Sequence, residues 1–272
     1  MTVTSLCQRY GVTPAGFYAW RRRPASRHTE RDHVLSAAVT RVFAAHHERY
    51  GSPRIHRVLK AEGWIVSRRR VARLMQCAGL RAKAVRGYRA KAQVRRLFAR
   101  HPNRVWTTHV DRPDQVWVGD ITYLKVAQGW RYLAIVMDQH TRRILAWSLT
   151  RQRTAAVTCA VLSEAARRRP AAAAGGAIFH SDRGSEYMGA PFCTRVAALG
   201  LTQSASVRGP GDNAHAESFF HSLKAELIRG TSFATEAALR GALRTYMTYY
   251  NTVRMHSSLS YRSPLAFEHH AP

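Results

Sequence analysis

Three acidic residues in three different local settings carry the most chemical information in this chain. They are Asp120 in V-W-V-G-D-I-T-Y-L, Asp182 in I-F-H-S-D-R-G-S-E-Y and Glu217 in G-D-N-A-H-A-E-S-F-F. Asp120 lies among Val116, Trp117, Val118, Ile121, Tyr123 and Leu124, a run that reads as a strand buried on both faces. An ionised carboxylate there is costly unless a counter-charge or a metal meets it. Asp182 follows a second short strand, predicted over Ala177 to His180, where Asp-Arg-Gly turns the chain out of the sheet. Glu217 comes 35 positions later, on a helix opened by Gly-Pro-Gly-Asp-Asn. A strand-centre Asp, a strand-end Asp and a helical Glu suit a phosphoryl-transfer site that works with divalent metal. Hard cations such as Mg²⁺ take oxygen ligands. Two of them, about 3.5–4 Å apart, clamp the entering and leaving oxygens of an in-line displacement.

Other carboxylates compete for this role and read differently. Asp138 opens a turn with Gln139, His140 and Thr141, where Asp commonly hydrogen-bonds its own backbone. Glu186 sits in a loop as a supporting or surface group. Asp212 reads as a helix N-cap, with Asn213 sharing the task. Glu226, nine positions after Glu217, is expected on the exposed side of its helix. On that helix Ala216, Phe219, Phe220, Leu223 and Leu227 make an apolar face, and Glu217, His221 and Lys224 form an adjoining stripe. Lys224, two turns beyond Glu217, is placed to hold the phosphate flanking a scissile bond. Tyr187, Tyr249 and Tyr250 lack the arginine–histidine set of a covalent tyrosine recombinase.

The elements that must position these groups begin at Val116. Strands are predicted there, over Gly129 to Met137 and over Ile144 to Leu149. A helix follows from Thr154 to Arg169, with a loop at Ala171 to Gly176. After the Asp182 strand come a helix near Pro191 to Leu199, a strand near Leu201 to Ser204, the Glu217 helix and a last helix through Leu239, Leu243, Met247 and Tyr250. This order implies an α/β domain with a mixed sheet and flanking helices. Upstream, 33–80 reads as three helices, with Val34, Ala38, Val42 and Phe43 at helical spacing in the first. Ser52-Pro53 opens the second, and Ser67 caps a third from Arg68 to Cys77. The last two make a helix-turn-helix candidate, with Arg68, Arg69, Arg70 and Arg73 at the start of its second helix. Arg68, Arg69 and Arg73 are the expected DNA contacts. Residues 1–32 form a basic segment of one or two short helices ended by Pro24. The 81–112 stretch is a basic linker, with nine Lys/Arg up to Arg104 and no acid before Asp111.

From about Pro113 to Glu268 these residues resemble the catalytic domain of DDE transposases and retroviral-type integrases. The nearest resemblance is to second-reading-frame transposases of the IS-three group of bacterial insertion sequences. Four stretches in order carry it: W-V-G-D-I-T-Y-L, H-S-D-R-G-S-E-Y, D-N-A-H-A-E-S-F-F-H-S-L-K-A-E and Y-N-T-V-R-M-H-S-S-L-S-Y-R-S-P-L-A-F-E. Gly119 stands where a polar residue commonly precedes the first Asp, and Arg183 where Gln is frequent; neither is a candidate ligand. The 33–80 segment is similar to the helix-turn-helix ahead of the same catalytic domain. The resemblance implies a ribonuclease H-like fold over 113–270 and selects Asp120, Asp182 and Glu217 as catalytic metal ligands for Mg²⁺ or Mn²⁺, two ions in number. It associates Lys224 with the element's terminal DNA. It further implies cleavage at element ends, strand transfer by the freed 3′-hydroxyl into target DNA, and a homo-oligomer on double-stranded DNA. Acting alone or in a frameshift fusion with an upstream-frame DNA-binding protein are both open. Rival readings are a phage or retroelement integrase, a nuclease on the same fold, and a non-catalytic helix-turn-helix regulator.

Composition is consistent with a nucleic-acid partner. The net charge is +27, and residues 1–110 hold 24 Lys/Arg against 4 Asp/Glu, the rest 19 against 12. A basic amino-terminal half beside a milder second half reads as a DNA-binding arm on an enzyme domain. Four scattered cysteines with no C-x-x-C pair argue against a disulfide framework and a Cys-rich zinc site. No signal pattern opens the chain, and no apolar run nears the roughly 20 residues that span a bilayer. The expectation is a cytoplasmic, nucleoid-associated protein with no membrane partner.

Overall fold

The computed structural model describes residues 2–23, 26–83, 101–207 and 213–270. Most of the basic linker and Asp212 therefore lie outside the described residues. The chain divides into two compact units, Met1–Ala82 and Lys83–Pro272. Among the described residues no helix is long and apolar enough to cross a membrane.

The first unit is all helix: α1 (Val3–Arg9), α2 (Pro14–Arg22), α3 (Arg27–Ala45), α4 (Ser52–Ala61) and α5 (Arg68–Cys77). Leu35, Val39, Val42 and Phe43 of α3 close on Ile55 and Leu59 of α4 and on Val71, Leu74 and Met75 of α5, all buried. Val34, read from periodicity as a core position, is 59% exposed; Leu35 and Val39 take the inner stripe instead. Gly63, just past the end of α4, has φ +88, a left-handed turn where a side chain would be strained. Ser67 then caps α5, its hydroxyl accepting from the Arg70 N–H at 3.2 Å.

The second unit is built on a five-stranded sheet: β1 (Val116–Val126), β2 (Gly129–Asp138), β3 (Ile144–Thr150), β4 (Ile178–Ser181) and β5 (Thr202–Ala205). The order is β3-β2-β1-β4-β5. β1, β2 and β3 pair antiparallel, while β4 runs parallel to β1 and to β5. Its helices are α6 (Ala155–Arg168), α7 (Pro170–Ala174), α8 (Ser185–Met188), α9 (Ala190–Ala198), α10 (Ala214–Leu223), α11 (Glu236–Thr252) and α12 (Pro264–Glu268). This is the ribonuclease H-like arrangement. The alanine tract expected as a loop instead begins as α7, because Ala is the strongest helix former and Pro170 suits its first turn.

Side-chain alternation along the strands divides the core in two. Val116, Val118, Leu133, Ile135 and Met137 pack on α10 and α11. Trp117, Ala134, Val136 and Phe179 pack on α6 and α9. Asp120 has the parity of Val116 and Val118, so it points toward the α10 face. Gly119 has the opposite parity, and a Cβ there would stand 2.3 Å from Cζ of Phe179. The ring of Phe179 thus explains the glycine ahead of Asp120.

Candidate active site

β4 pairs with β1 only from Val116↔Ile178 to Val118↔His180, so the two strands part just before Asp120. Asp182 follows β4 directly at that opening and is exposed; its Oδ1 accepts the Gly184 N–H at 3.0 Å. Glu217 lies in the first turn of α10. The buried Asn213 amide fastens that helix start to β1, donating to the Gly119 carbonyl at 3.0 Å. One anchor therefore holds the Glu217 turn beside the strand that carries Asp120.

The fold brings these groups into one electrostatic neighbourhood. Burial and the Asp182 charge push the Asp120 carboxyl up to about 8, with Glu217 and Glu186 adding in the same direction. The Ile121 N–H, donating to Oδ1 at 2.8 Å, only partly opposes them. Among the described residues no three His, Cys, Asp or Glu side chains stand close enough to share one metal ion. Lys224 is the nearby cation. Burial lowers its pKa, and the Asp120 charge opposes that shift.

Behind the carboxylates Phe179, Tyr187 and Phe192 form a buried ring cluster with centroids 5.2–6.0 Å apart. Burial and the Asp120, Asp182 and Glu186 charges hold the Tyr187 hydroxyl well above its usual range. Glu186 is itself buried, 3.5 Å from the Arg153 guanidinium.

Glu226 is not exposed. It is 3% accessible and takes Arg254, itself 4% accessible, with the Tyr246 hydroxyl donating to it at 3.0 Å. The physical reason is tertiary: Glu226 falls seven positions after the buried Phe219, at the margin of the apolar face, and Arg254 and Tyr246 close over it. Sequence reasoning also passed over Asn251, whose amide bridges the Ile144 N–H and carbonyl at 2.9 Å each. The Asp138 turn is as expected, its carboxylate accepting from the Thr141 and Asp114 N–H groups at 2.7 Å.

In the helical unit Arg68 and Arg69 are exposed at the start of α5. Arg73, expected to project beside them, keeps half its side chain exposed and with Arg70 pairs with Asp32 of α3. Those two hydrogen bonds lower the Asp32 pKa.

Comparisons with known proteins match this organisation. An HTH-like domain model matches residues 29–89, and two integrase core domain models match 110–210 and 201–264. The transposase for insertion sequence element IS904 of Lactococcus lactis subsp. lactis (strain IL1403) is 37% identical over 252 residues, 91% of this chain and 98% of that protein. Transposase InsF for insertion sequence IS3A of Escherichia coli (strain K12) is 34% identical over 275 residues, 98% of this chain and 94% of that protein. Among solved structures, the simian T-cell lymphotropic virus intasome in complex with PP2A regulatory subunit B56 gamma aligns at TM-score 0.50 and 15% identity. The alignment covers 86% of this chain and 75% of that one. The chain belongs to the DDE transposases of IS3-type insertion sequences, enzymes of DNA transposition and integration that act by polynucleotidyl transfer.

Proposed function

We propose that Asp120, Asp182 and Glu217 are the catalytic carboxylates of this transposase and that together they hold two Mg²⁺ or Mn²⁺ ions. The observation that carries this reading is geometric: β1 and β4 part just before Asp120, Asp182 stands at that opening, and Asn213 ties the Glu217 turn to β1. A buried carboxylate crowded by two others is relieved by a divalent cation, and an all-oxygen donor set suits Mg²⁺. When bound, the metal polarises the phosphoryl oxygens and favours the oxygen nucleophile.

The chain's own residues do the rest. Asn213 keeps the Glu217 turn on β1, and the Phe179–Tyr187–Phe192 floor excludes water from beneath the carboxylates. Lys224 neutralises the phosphate beside the scissile bond. Water first cuts a strand at the element end and leaves a 3′-hydroxyl. That hydroxyl then displaces a 3′ oxygen of target DNA, one phosphodiester forming as one breaks. Residues 33–80 serve as the DNA-reading domain with Arg68 and Arg69 on the duplex, 81–112 as a linker along the backbone, and 113–270 as the catalytic domain. Residues 1–32 are a separate basic segment. The working form is a homo-oligomer on two element ends in the cytoplasm, as a single chain or as a frameshift fusion with an upstream-frame protein.

The test is end-DNA cleavage and joining by purified protein in Mg²⁺. Asp120→Asn, Asp182→Asn and Glu217→Gln should each abolish both reactions while end-DNA binding persists, with Glu164→Gln as the surface control. Near-normal cleavage by any one of the three removes that residue from the ligand set.

A further inference from the structure

Beyond Val118, β1 has lost β4 and pairs with β2 alone out to Val126↔Gly129. On this overhang Tyr123 is 59% exposed, and Trp130 across the ladder is 52% exposed. Their rings meet edge to face, centroids 5.2 Å apart at 84°. Neither ring belongs to either hydrophobic core. Large aromatics left jointly open to water mark a binding surface more often than a packing need. The Lys224 Nζ lies 4.9 Å from the Tyr123 ring centre, within reach of the Asp120 charge. Lys125, exposed on the same strand, pairs directly with Trp130. Tyr123, Lys125 and Trp130 share the face of this overhang opposite Asp120, and Lys224, beyond α10, stands between the Tyr123 ring and the Asp120 charge where β1 has no β4 neighbour.

This arrangement is complementary to one nucleotide. A base offers its π face only when it is unstacked from its neighbours, and aromatic side chains then replace those neighbours irrespective of sequence. We propose that Tyr123 and Trp130 are a stacking platform for an unpaired base next to the scissile phosphate, with Lys224 passing from the ring to that phosphate. The proposal rests on the carboxylate site assigned above and adds what holds the DNA end open beside it. A folding role alone would bury the rings against a core, and a docking site for another protein would not need the ammonium.

The test uses the full chain and end duplexes without divalent metal, so it reads binding and not cleavage. An abasic analogue replaces each nucleotide flanking the scissile phosphate in turn. Trp130→Leu and the abasic change at the occupied position should each weaken binding roughly tenfold, and together little more than either alone. Losses that multiply at both flanking positions, or no loss with Trp130→Leu, overturn the platform. Since Trp130→Leu risks the fold, wild-type protein is also photocrosslinked to 5-iodouracil at each position. Adducts should map to Tyr123 or Trp130, and adducts mapping only elsewhere reject the proposal. If Asp120→Asn cleaves normally while these results hold, the carboxylate reading fails and the platform stands.

Discussion

Asp120→Asn should make the metal-free protein more stable while abolishing its activity. The substitution keeps the side-chain shape and the bond from the Ile121 N–H, and removes the titrating carboxyl. The fold raises the carboxyl from 3.8 to about 8. A raised acid pKa means that the native state holds a proton the unfolded chain has released. The associated stability is present below pH 3.8 and lost as pH rises toward 8. At pH 7 about three units of that interval have been crossed, an upper limit of about 4 kcal/mol at about 1.4 kcal/mol per unit. Asp120 keeps part of its surface open to water. Solvent roughly halves the figure, to about 2 kcal/mol. For a unit of this size that is a melting temperature about 4–8 °C higher. The assay is thermal unfolding of wild-type and variant in chelator from pH 5 to 8, then with excess Mg²⁺. Wild-type should melt progressively lower as pH rises and recover with metal, by about 2.7 kcal/mol at a hundredfold excess over Kd. The variant should respond weakly to both. A variant that melts at or below wild-type throughout, with an unchanged Mg²⁺ response, would refute the claim that Asp120 is a penalised carboxylate relieved by metal.

Three further outcomes follow from individual contacts. Glu226→Gln strands the buried Arg254 guanidinium, and should cost about 3–5 kcal/mol in urea unfolding; an unchanged midpoint would show that the pair is dispensable. Gly119→Ala drives a methyl into the Phe179 ring, and should cost about 1–3 kcal/mol. Adding Phe179→Leu should recover part of that loss, and simple additivity would clear Phe179 as the obstacle. Asp32→Asn releases Arg70 and Arg73, so the log–log salt dependence of DNA binding should steepen by about 1–2. An unaltered slope, with a lower melting temperature, would make that cluster purely structural.

What the sequence made legible is local periodicity and motif chemistry. The near-continuous apolar run across Val116 to Leu124 located β1, and Ser67 and Gly63 punctuated α4 and α5 because caps and left-handed turns are set within a few residues. The three carboxylates stood out because their settings differ. The burial of Glu226 did not, since the Tyr246 and Arg254 side chains that cover it are 20 and 28 positions away. The pairing of Arg73 was illegible for a related reason: its partner Asp32 is 41 positions away, and an unpaired arginine looks the same in sequence as a paired one. Glu236 likewise takes Arg131 and Arg151 from 105 and 85 positions away, pairings visible only in the folded chain.

The carboxy-terminal motif gains a physical meaning from these contacts. In Y-N-T-V-R-M-H, Asn251 ties α11 to the first residue of β3, and Arg254 reaches the Glu226 turn immediately beyond α10. Further on, Glu268 receives Arg143 from the β2–β3 turn and Arg169 from the end of α6. The tail therefore ties the turn after α10, α11 and the β2–β3 end of the sheet together without supplying any of the three carboxylates. Once Asp120 ionises, Glu217 on α10 faces a like charge on β1, and the contacts of Asn213 and Arg254 at either end of α10 oppose their separation. Residues of this motif should therefore affect melting in chelator above pH 8 more than in Mg²⁺, where a cation offsets the repulsion.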